Sequence, residues 1–297
     1  MDIRILLNGK KAGLEPVRSA IFKAREAGTV EVRSTWEAGD VERMVSEAIA
    51  DGCTRLVAGG GDGTVNELTD ALLKLDADKR PELAVMPLGT ANDFATGCGI
   101  PGDPLQALQL AQTGTARAVD AVSANEYHFL NVASGGFGAQ VTATTPVALK
   151  NFLGGGAYTL SGMVQAINFV PFEGEGRLPG ETLSSSVIVG AVCNGRQAGG
   201  GQQLAPQAFI DDGLLDIVVL NQFPPEAVPQ VIEELRDPEA SGDYVKRYRE
   251  PWVEWSSETV IPINLDGEPI SCSSVRFEVI PGAIKLVAPD DCPMLSA

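Results

Sequence analysis

Gly59, Gly60, Gly61 and Gly63 place four glycines within five positions, with the acid Asp62 between the last two. The run lies between an apolar stretch, Arg55-Leu56-Val57-Ala58, and a helical spacing marked by Val65, Leu68, Leu72 and Leu73. The chain must therefore turn sharply from a strand into a helix. Thr64 and Glu67 have capping-box spacing, which predicts the helix start. One glycine would serve a plain turn. Several let backbone N–H groups close around an anion, and the helix N-terminus adds partial positive charge. The segment reads as a phosphate cradle. It is neither a Walker A loop nor G-x-G-x-x-G, because no Gly-Lys-Ser/Thr follows and the glycine spacing differs. Asp62 would repel a phosphate unless a cation bridges them, and Mg²⁺ bridging a carboxylate and a triphosphate is the expected solution.

The surrounding pattern sets the fold class. Strands are expected at Ile3–Leu7, Val30–Ser34, Arg55–Ala58, Leu83–Met86 and Ala116–Val122. Helices are expected over Glu15–Ala27, Gly39–Asp51, from Val65 and over Pro104–Gln112. Val41, Met44, Val45, Ala48 and Ile49 make the apolar stripe of an amphipathic helix. Such alternation implies βαβ units: an α/β domain with a doubly wound, mostly parallel sheet over residues 1–124. After about Asn125 strands dominate, at Phe129–Ala133, Ser185–Cys193, Leu214–Leu220, Val260–Leu265 and Val275–Ile280. Helices are expected only at Pro225–Arg236 and within Pro146–Phe169. This predicts a mostly antiparallel, β-sandwich-like second domain over residues 125–282.

A second loop repeats the first. Pro87-Leu88-Gly89-Thr90-Ala91-Asn92-Asp93 follows the fourth strand, and Thr90 with Asp93 has the spacing of another helix start. Neighbouring parallel strands deliver such loops to one edge, where ligands bind. Asp62, Asp93 and Asp120 are expected to meet there around a metal. Composition narrows the partners. A net charge of −17 excludes a nucleic-acid partner and allows only transient, peripheral contact with an anionic membrane. Five scattered cysteines without C-x-x-C fit a reducing cytoplasm. No stretch reaches 18 apolar residues, and the N-terminus does not read as a signal peptide. His128, the single histidine, reads as a buried structural residue.

Gly60-Gly61-Asp62-Gly63-Thr64 together with Gly89-Thr90-Ala91-Asn92-Asp93-Phe94 resembles the diacylglycerol kinase catalytic domain family, whose nucleotide site is shared with NAD kinases and phosphofructokinases. Further matches run through Asn131–Gly138, Asn194–Gln203, Ala205-Pro206, Asp212–Asp216 and Asn264–Pro269, a pattern similar to the bacterial YegS-like lipid kinases over nearly the whole chain. The resemblance implies a kinase that transfers phosphate from ATP to a lipid alcohol, phosphatidylglycerol or diacylglycerol, with Mg²⁺ as cofactor. It implies ATP contacts at Thr35, Gly61, Asp62, Gly63, Thr64, Val65, Asn66, Glu67 and Thr90, and a metal held by Asp212 with the carbonyls of Phe209 and Leu214. It implies Glu268 as proton acceptor, and a return of residues 283–297 to the first domain. Such an enzyme would work in the cytoplasm, peripheral to the inner membrane, and a homodimer is an open assembly. A kinase for a soluble alcohol such as NAD, and a non-catalytic nucleotide sensor, are the alternatives.

Three carboxylates compete for the role of base: Glu268, Asp266 and Asp62. Asp266-Gly267 and Asp212-Gly213 also read as ordinary hairpin turns, and a metal at Asp212 reads as structural or regulatory. Phe152–Tyr158 and Met163–Phe172 are candidate lipid contacts. So is Tyr244–Trp255, where Lys246, Arg247 and Arg249 alternate with aromatic residues; its plain reading is a solvated helix end with packed tryptophans.

Overall fold

The computed structural model describes residues 3–136, 170–237 and 241–296. They divide into two compact units, one of residues 1–121 with 281–297 and one of residues 122–280.

In the first unit, β1 (Ile3–Asn8), β2 (Val30–Thr35), β3 (Arg55–Gly60) and β4 (Glu82–Pro87) pair in parallel in the order β2–β1–β3–β4. β1, β3 and β4 are almost continuously buried, as strands covered on both faces must be. α1 (Glu15–Ala27) and α5 (Pro104–Thr113) cover one face. Val17, Ala20 and Ile21 meet Ala107 and Leu108 over Ile5, Leu7, Val57 and Met86. The alternate residues Leu6, Leu56 and Val85 are also buried and point to the other face, where α2 (Asp40–Ala50) and α3 (Asp62–Leu73) contact the strands. Two buried arginines are neutralised within this unit. Arg4 reaches Glu31 and Asp51 at 2.5 and 2.7 Å, and Arg55 reaches Glu82 and the Ala111 carbonyl.

Pairing over residues 1–129 is mixed rather than uniformly parallel. β5 (Ala116–Ala124) turns back antiparallel on β6 (Tyr127–Phe129) and also pairs with the long final strand β15 (Glu268–Val287). β15 enters the first unit at Pro281, and its Leu286 lies parallel to Leu83 of β4. This return is clamped. The Gly282 N–H donates to Asp120 Oδ1 at 2.8 Å, and Arg80 donates to the Ala283 carbonyl at 2.8 Å. Asp120 is 2 % exposed and committed to the backbone, and no group of three acids, cysteines or histidines among the described residues could hold a metal. The expected meeting of Asp62, Asp93 and Asp120 is thus corrected.

The second unit contains β7 (Val132–Gly136), β8 (Phe172–Leu178), β9 (Glu181–Cys193), β10 (Gln197–Ala198), β11 (Gln202–Gln203), β12 (Leu215–Asn221), α6 (Val228–Arg236), β13 (Val245–Glu250) and β14 (Trp252–Leu265). Its sheet runs antiparallel in the order β13–β12–β9–β7–β14–β15. β8 also pairs with β9 and β14. Gly136 faces Val189 and Phe172 faces Val187, with β12 on the opposite edge of β9, so β7 and β8 are two halves of one strand position. β8 was hidden in the sequence by its Glu173-Gly174-Glu175-Gly176 run, which has little strand propensity. Tyr244–Trp255 is β13 and the start of β14, not a helix end. His128 sits on β6 and is half-buried, not buried.

Asp120→Ala would leave the Gly282 N–H without its acceptor, a loss of about 1–3 kcal/mol. Urea unfolding should show a lower midpoint at unchanged slope; an unchanged midpoint would show that this clamp contributes nothing.

Candidate active site

β3 and β4 end side by side, and both continue into glycine loops. The Leu88 N–H donates to the Gly60 carbonyl at 2.7 Å. Beyond it the loops touch backbone to backbone. A Cβ on Gly89 would lie 2.6 Å from the Gly61 Cα, and one on Gly61 would lie 3.0 Å from the Gly89 Cα. Gly89 admits no Cβ without movement of the facing backbone, and Gly61 only a crowded one, which is the physical content of the paired motifs.

The helix starts differ from the expected caps. α3 begins at Asp62 with Gly61 as its cap, and no side chain caps it. Thr64 lies inside the first turn, where its N–H donates to the Gly61 carbonyl at 2.9 Å. α4 (Asp93–Gly97) begins after Asn92, which adopts φ 53° and bonds both ways to Gly89, accepting its N–H at 2.7 Å and donating to its carbonyl at 3.1 Å. Thr90 is therefore an exposed turn residue, not a cap. A helix start leaves its leading N–H groups without i−4 carbonyls; here the Thr64 N–H is met by the Gly61 carbonyl and the Asp62 N–H by its own carboxylate.

Asp62 joins the two loops. Its Oδ1 accepts the Phe94 N–H at 3.2 Å. Burial raises its pKa, the Phe94 and Asp93 N–H groups oppose that shift, and the Asp93 charge adds to it. A carboxylate held this way fits a cation brought by a ligand, because Mg²⁺ is commonly bound by one or two carboxylates plus phosphate oxygens and water.

The other expected nucleotide residues fall into two groups. Thr64, Val65 and Asn66 are buried, with 7, 4 and 6 % of their surface exposed. Thr35 and the exposed Glu67 line an open cavity of about 700 Å³ with Asn8, Lys10, Trp36 and Lys74. Trp36 was not anticipated; it follows Thr35 directly and is 94 % exposed. Asp40 fixes this corner. Its Oδ2 accepts the Trp36 and Glu37 N–H groups at 2.6 and 3.0 Å, and Arg43 donates to Oδ1 at 2.6 Å. The Glu37 and Trp36 N–H groups, then Arg43, hold the Asp40 carboxyl down to about 2.

In the second unit, Asp266 is a structural anchor rather than a base. Its Oδ2 accepts the N–H groups of Leu130 and Asn131 at 2.8 and 3.0 Å, and its Oδ1 accepts that of Val132 at 2.7 Å. Asp266 and Gly267 both have positive φ, 49° and 106°, as a two-residue type I′ turn requires. From the other side, Asn194 donates to the Leu130 carbonyl at 2.7 Å and Asn131 Nδ2 to the Gln197 carbonyl at 2.9 Å. The Asn131, Asn194 and Asn264–Gly267 motifs thus form one polar knot. Glu268 follows the turn with its side chain exposed.

Asp212 has a partner other than a metal. Its Oδ2 pairs with Arg249 and its Oδ1 accepts the Leu214 N–H at 3.0 Å, while Phe209 lies under the Arg196 guanidinium at 5.2 Å. The Asp212 carboxylate of the expected metal set Phe209, Asp212 and Leu214 is thus paired with Arg249 in this structure, and a cation there would share that carboxylate with the arginine. Trp252 stacks with Arg276 at 4.1 Å. The candidate lipid contacts at 152–158 and 163–169 lie outside the described residues. Within the sheets of this unit lies an apolar cavity of about 110 Å³, walled by Leu178, Val187, Ile217, Ile261 and Phe277. Trp255 Nε1 and Asn221 Oδ1 belong to cavity-lining residues, and both atoms are buried without a hydrogen-bond partner.

Paired glycine loops at the carboxyl ends of parallel strands, in a chain whose second unit is an antiparallel sheet, define a two-domain α/β class. Residues 2–124 match the model of the diacylglycerol kinase catalytic domain, and residues 131–288 match that of the YegS C-terminal NAD kinase beta sandwich-like domain. The chain belongs to this YegS-like diacylglycerol kinase family. A relative from Shewanella frigidimarina, named "Probable lipid kinase YegS-like", is 47% identical over 99% of this chain and 96% of its own. Relatives of the same name from Chromohalobacter salexigens and Yersinia enterocolitica are 47% and 44% identical over 99% and 98% of this chain, and 96% and 98% of their own. The crystal structure of a diacylglycerol kinase from Bacillus anthracis shares the fold, with a TM-score of 0.76 at 22% identity over 98% of each chain.

Gly89→Ala should cost about 1–3 kcal/mol through overpacking against Gly61, and ATP affinity measured by calorimetry should fall with it; a stable variant that binds ATP normally would show that the close contact is dispensable. Asp40, depressed in the fold, stabilises above about pH 4, its unfolded range, and that stabilisation is lost as pH falls toward about 2. The Tm difference between the wild type and Asp40→Asn should be constant above about pH 5 and shrink below it.

Proposed function

We propose that this protein is an ATP- and Mg²⁺-dependent lipid kinase whose acceptor is a hydroxyl of a lipid head group, of the phosphatidylglycerol or diacylglycerol class. The observation that carries the reading is the backbone-to-backbone contact of Gly61 and Gly89, which opens the start of α3 to an anion. Full-length relatives named as lipid kinases support the lipid acceptor. The second unit also carries an apolar cavity of about 110 Å³, room for a short stretch of acyl carbon.

In this reading the N–H groups at the start of α3 hold the phosphates, and Asp62 would hold Mg²⁺ together with phosphate oxygens. Bound there, the cation would neutralise charge on the transferring group. The lipid hydroxyl oxygen bonds to the γ-phosphorus while the bond to the β–γ bridging oxygen breaks, giving ADP and a lipid phosphate. Glu268 takes the hydroxyl proton. Asp266 cannot share that role, because three backbone N–H groups occupy its oxygens. Among the described residues no helix is long and apolar enough to cross a membrane. Contact with the bilayer is proposed to be peripheral and transient, given the net charge of −17.

Incubation with γ-labelled ATP, Mg²⁺ and mixed micelles of phosphatidylglycerol or diacylglycerol should label a lipid, and no label in any lipid would refute the reading. Glu268→Gln should lower kcat by about 10²–10⁴-fold with ATP affinity retained. Gly190 borders the apolar cavity with nothing within 4 Å of an added Cβ. Gly190→Leu should therefore raise KM for long-chain lipid and leave ATP affinity unchanged.

A further inference from the structure

We propose that Trp36 is the stacking platform for the purine base of the nucleotide, an inference that rests on the phosphate-cradle reading above. The strand register fixes the distance. Asn8 pairs with Thr35 and Leu7 with Gly59, so the ends of β2, β1 and β3 stand level along the carboxyl edge. Thr35 on β2 and Gly60 on β3 are two strand spacings apart, about 10 Å. A nucleotide whose phosphates lie at the start of α3 and which extends along this edge brings its base to the end of β2, where Trp36 stands.

The corner is built for a ligand and not for the protein's own packing. The indole is 94 % exposed, although burying a tryptophan is strongly favourable. Its backbone is nevertheless fixed, because Asp40 accepts the Trp36 and Glu37 N–H groups and is itself buried against Arg43. An ordered backbone presenting an uncovered aromatic face is what stacking requires. The cavity it borders, about 700 Å³, is of nucleotide-binding size. Its charge sets the direction of binding. Glu37, Glu42, Glu67 and Asp70 outnumber Lys10 and Lys74 in its lining. Acids repel phosphates but accept hydrogen bonds from ribose hydroxyls and an exocyclic amine. The uncharged end of the nucleotide therefore belongs here, with the phosphates at the glycine loops. The same excess of acids argues against Trp36 as an anchor in an anionic bilayer.

Intrinsic fluorescence and calorimetry test this with ATP and with inorganic tripolyphosphate as ligands, each with Mg²⁺. ATP should quench the wild-type emission, and Trp36→Phe should lose the quench while keeping ATP affinity within about threefold. Trp36→Ala should weaken ATP about tenfold and leave tripolyphosphate affinity unchanged, since base stacking alone is removed. Equal ATP affinity in the wild type and Trp36→Ala would overturn the inference and leave the phosphate cradle standing. So would a Trp36→Ala variant that loses only its binding to phosphatidylglycerol vesicles. Failure of the wild type to bind either ligand would overturn both. Loss of tripolyphosphate binding in Trp36→Ala would assign the residue a structural role and also overturn the inference.

Discussion

The contact between Gly61 and Gly89 is the constraint on which the first unit's site depends. Two parallel strands end at the same level, and each must reverse into a helix. A side chain at Gly89 would force the loops apart, because its Cβ would stand 2.6 Å from the facing backbone, and one at Gly61 would crowd it at 3.0 Å. Once the loops touch, Asp62 reaches the first N–H groups of α4, and Asn92 closes the second turn on Gly89. The same acid is a tether between loops and, in the proposed function, a carboxylate that would meet a ligand-borne cation. Its burial raises the cost of ionisation, a cost that a bound cation would offset.

The second unit is organised by a comparable device of opposite sign. Asp266 gathers three consecutive backbone N–H groups, and Asn194 takes a carbonyl of the same segment. Residues 130–132 are thereby held between the β14–β15 turn and the end of β9. Motifs that look catalytic in the sequence, with their Asn, Asp and Gly residues, are in this structure the means of fixing a hairpin. Glu268 stands just past that hairpin, on a backbone whose position the knot determines. The proposed role of Glu268 as base would need such positioning, and the cost of building it falls on neighbouring residues.

Acids in this chain hold different charges in check. Buried Arg4 and Arg55 are neutralised by Glu31, Asp51 and Glu82, and Arg249 is shared between Asp212 and Asp216. Asp212 is where tertiary pairing adds most to the sequence reading. A lone Asp-Gly turn with nearby carbonyls suits a hard cation, but the strand pairing of β12 with β13 sets Arg249 opposite Asp216 and within reach of Asp212. Only the register of two strands more than 20 residues apart could reveal that arginine.

Local chemistry made the alternating strands and helices of the first unit readable, because burial on both sheet faces leaves continuous apolar runs and each covering helix keeps its 3.6-residue stripe. The glycine loops were readable for the same reason: a missing Cβ is a property of the residue itself. Which groups those loops hold was not. Asp120 turned to Gly282, Asp266 to Leu130–Val132 and Asp212 to Arg249, partners between 37 and 162 positions away in the chain. The role of a carboxylate depends on which donors surround it, and that follows from strand register, strand order and the return of β15. The chain's own residues determined where it bends and what it can bind, while tertiary pairing decided which acids remain available to do so.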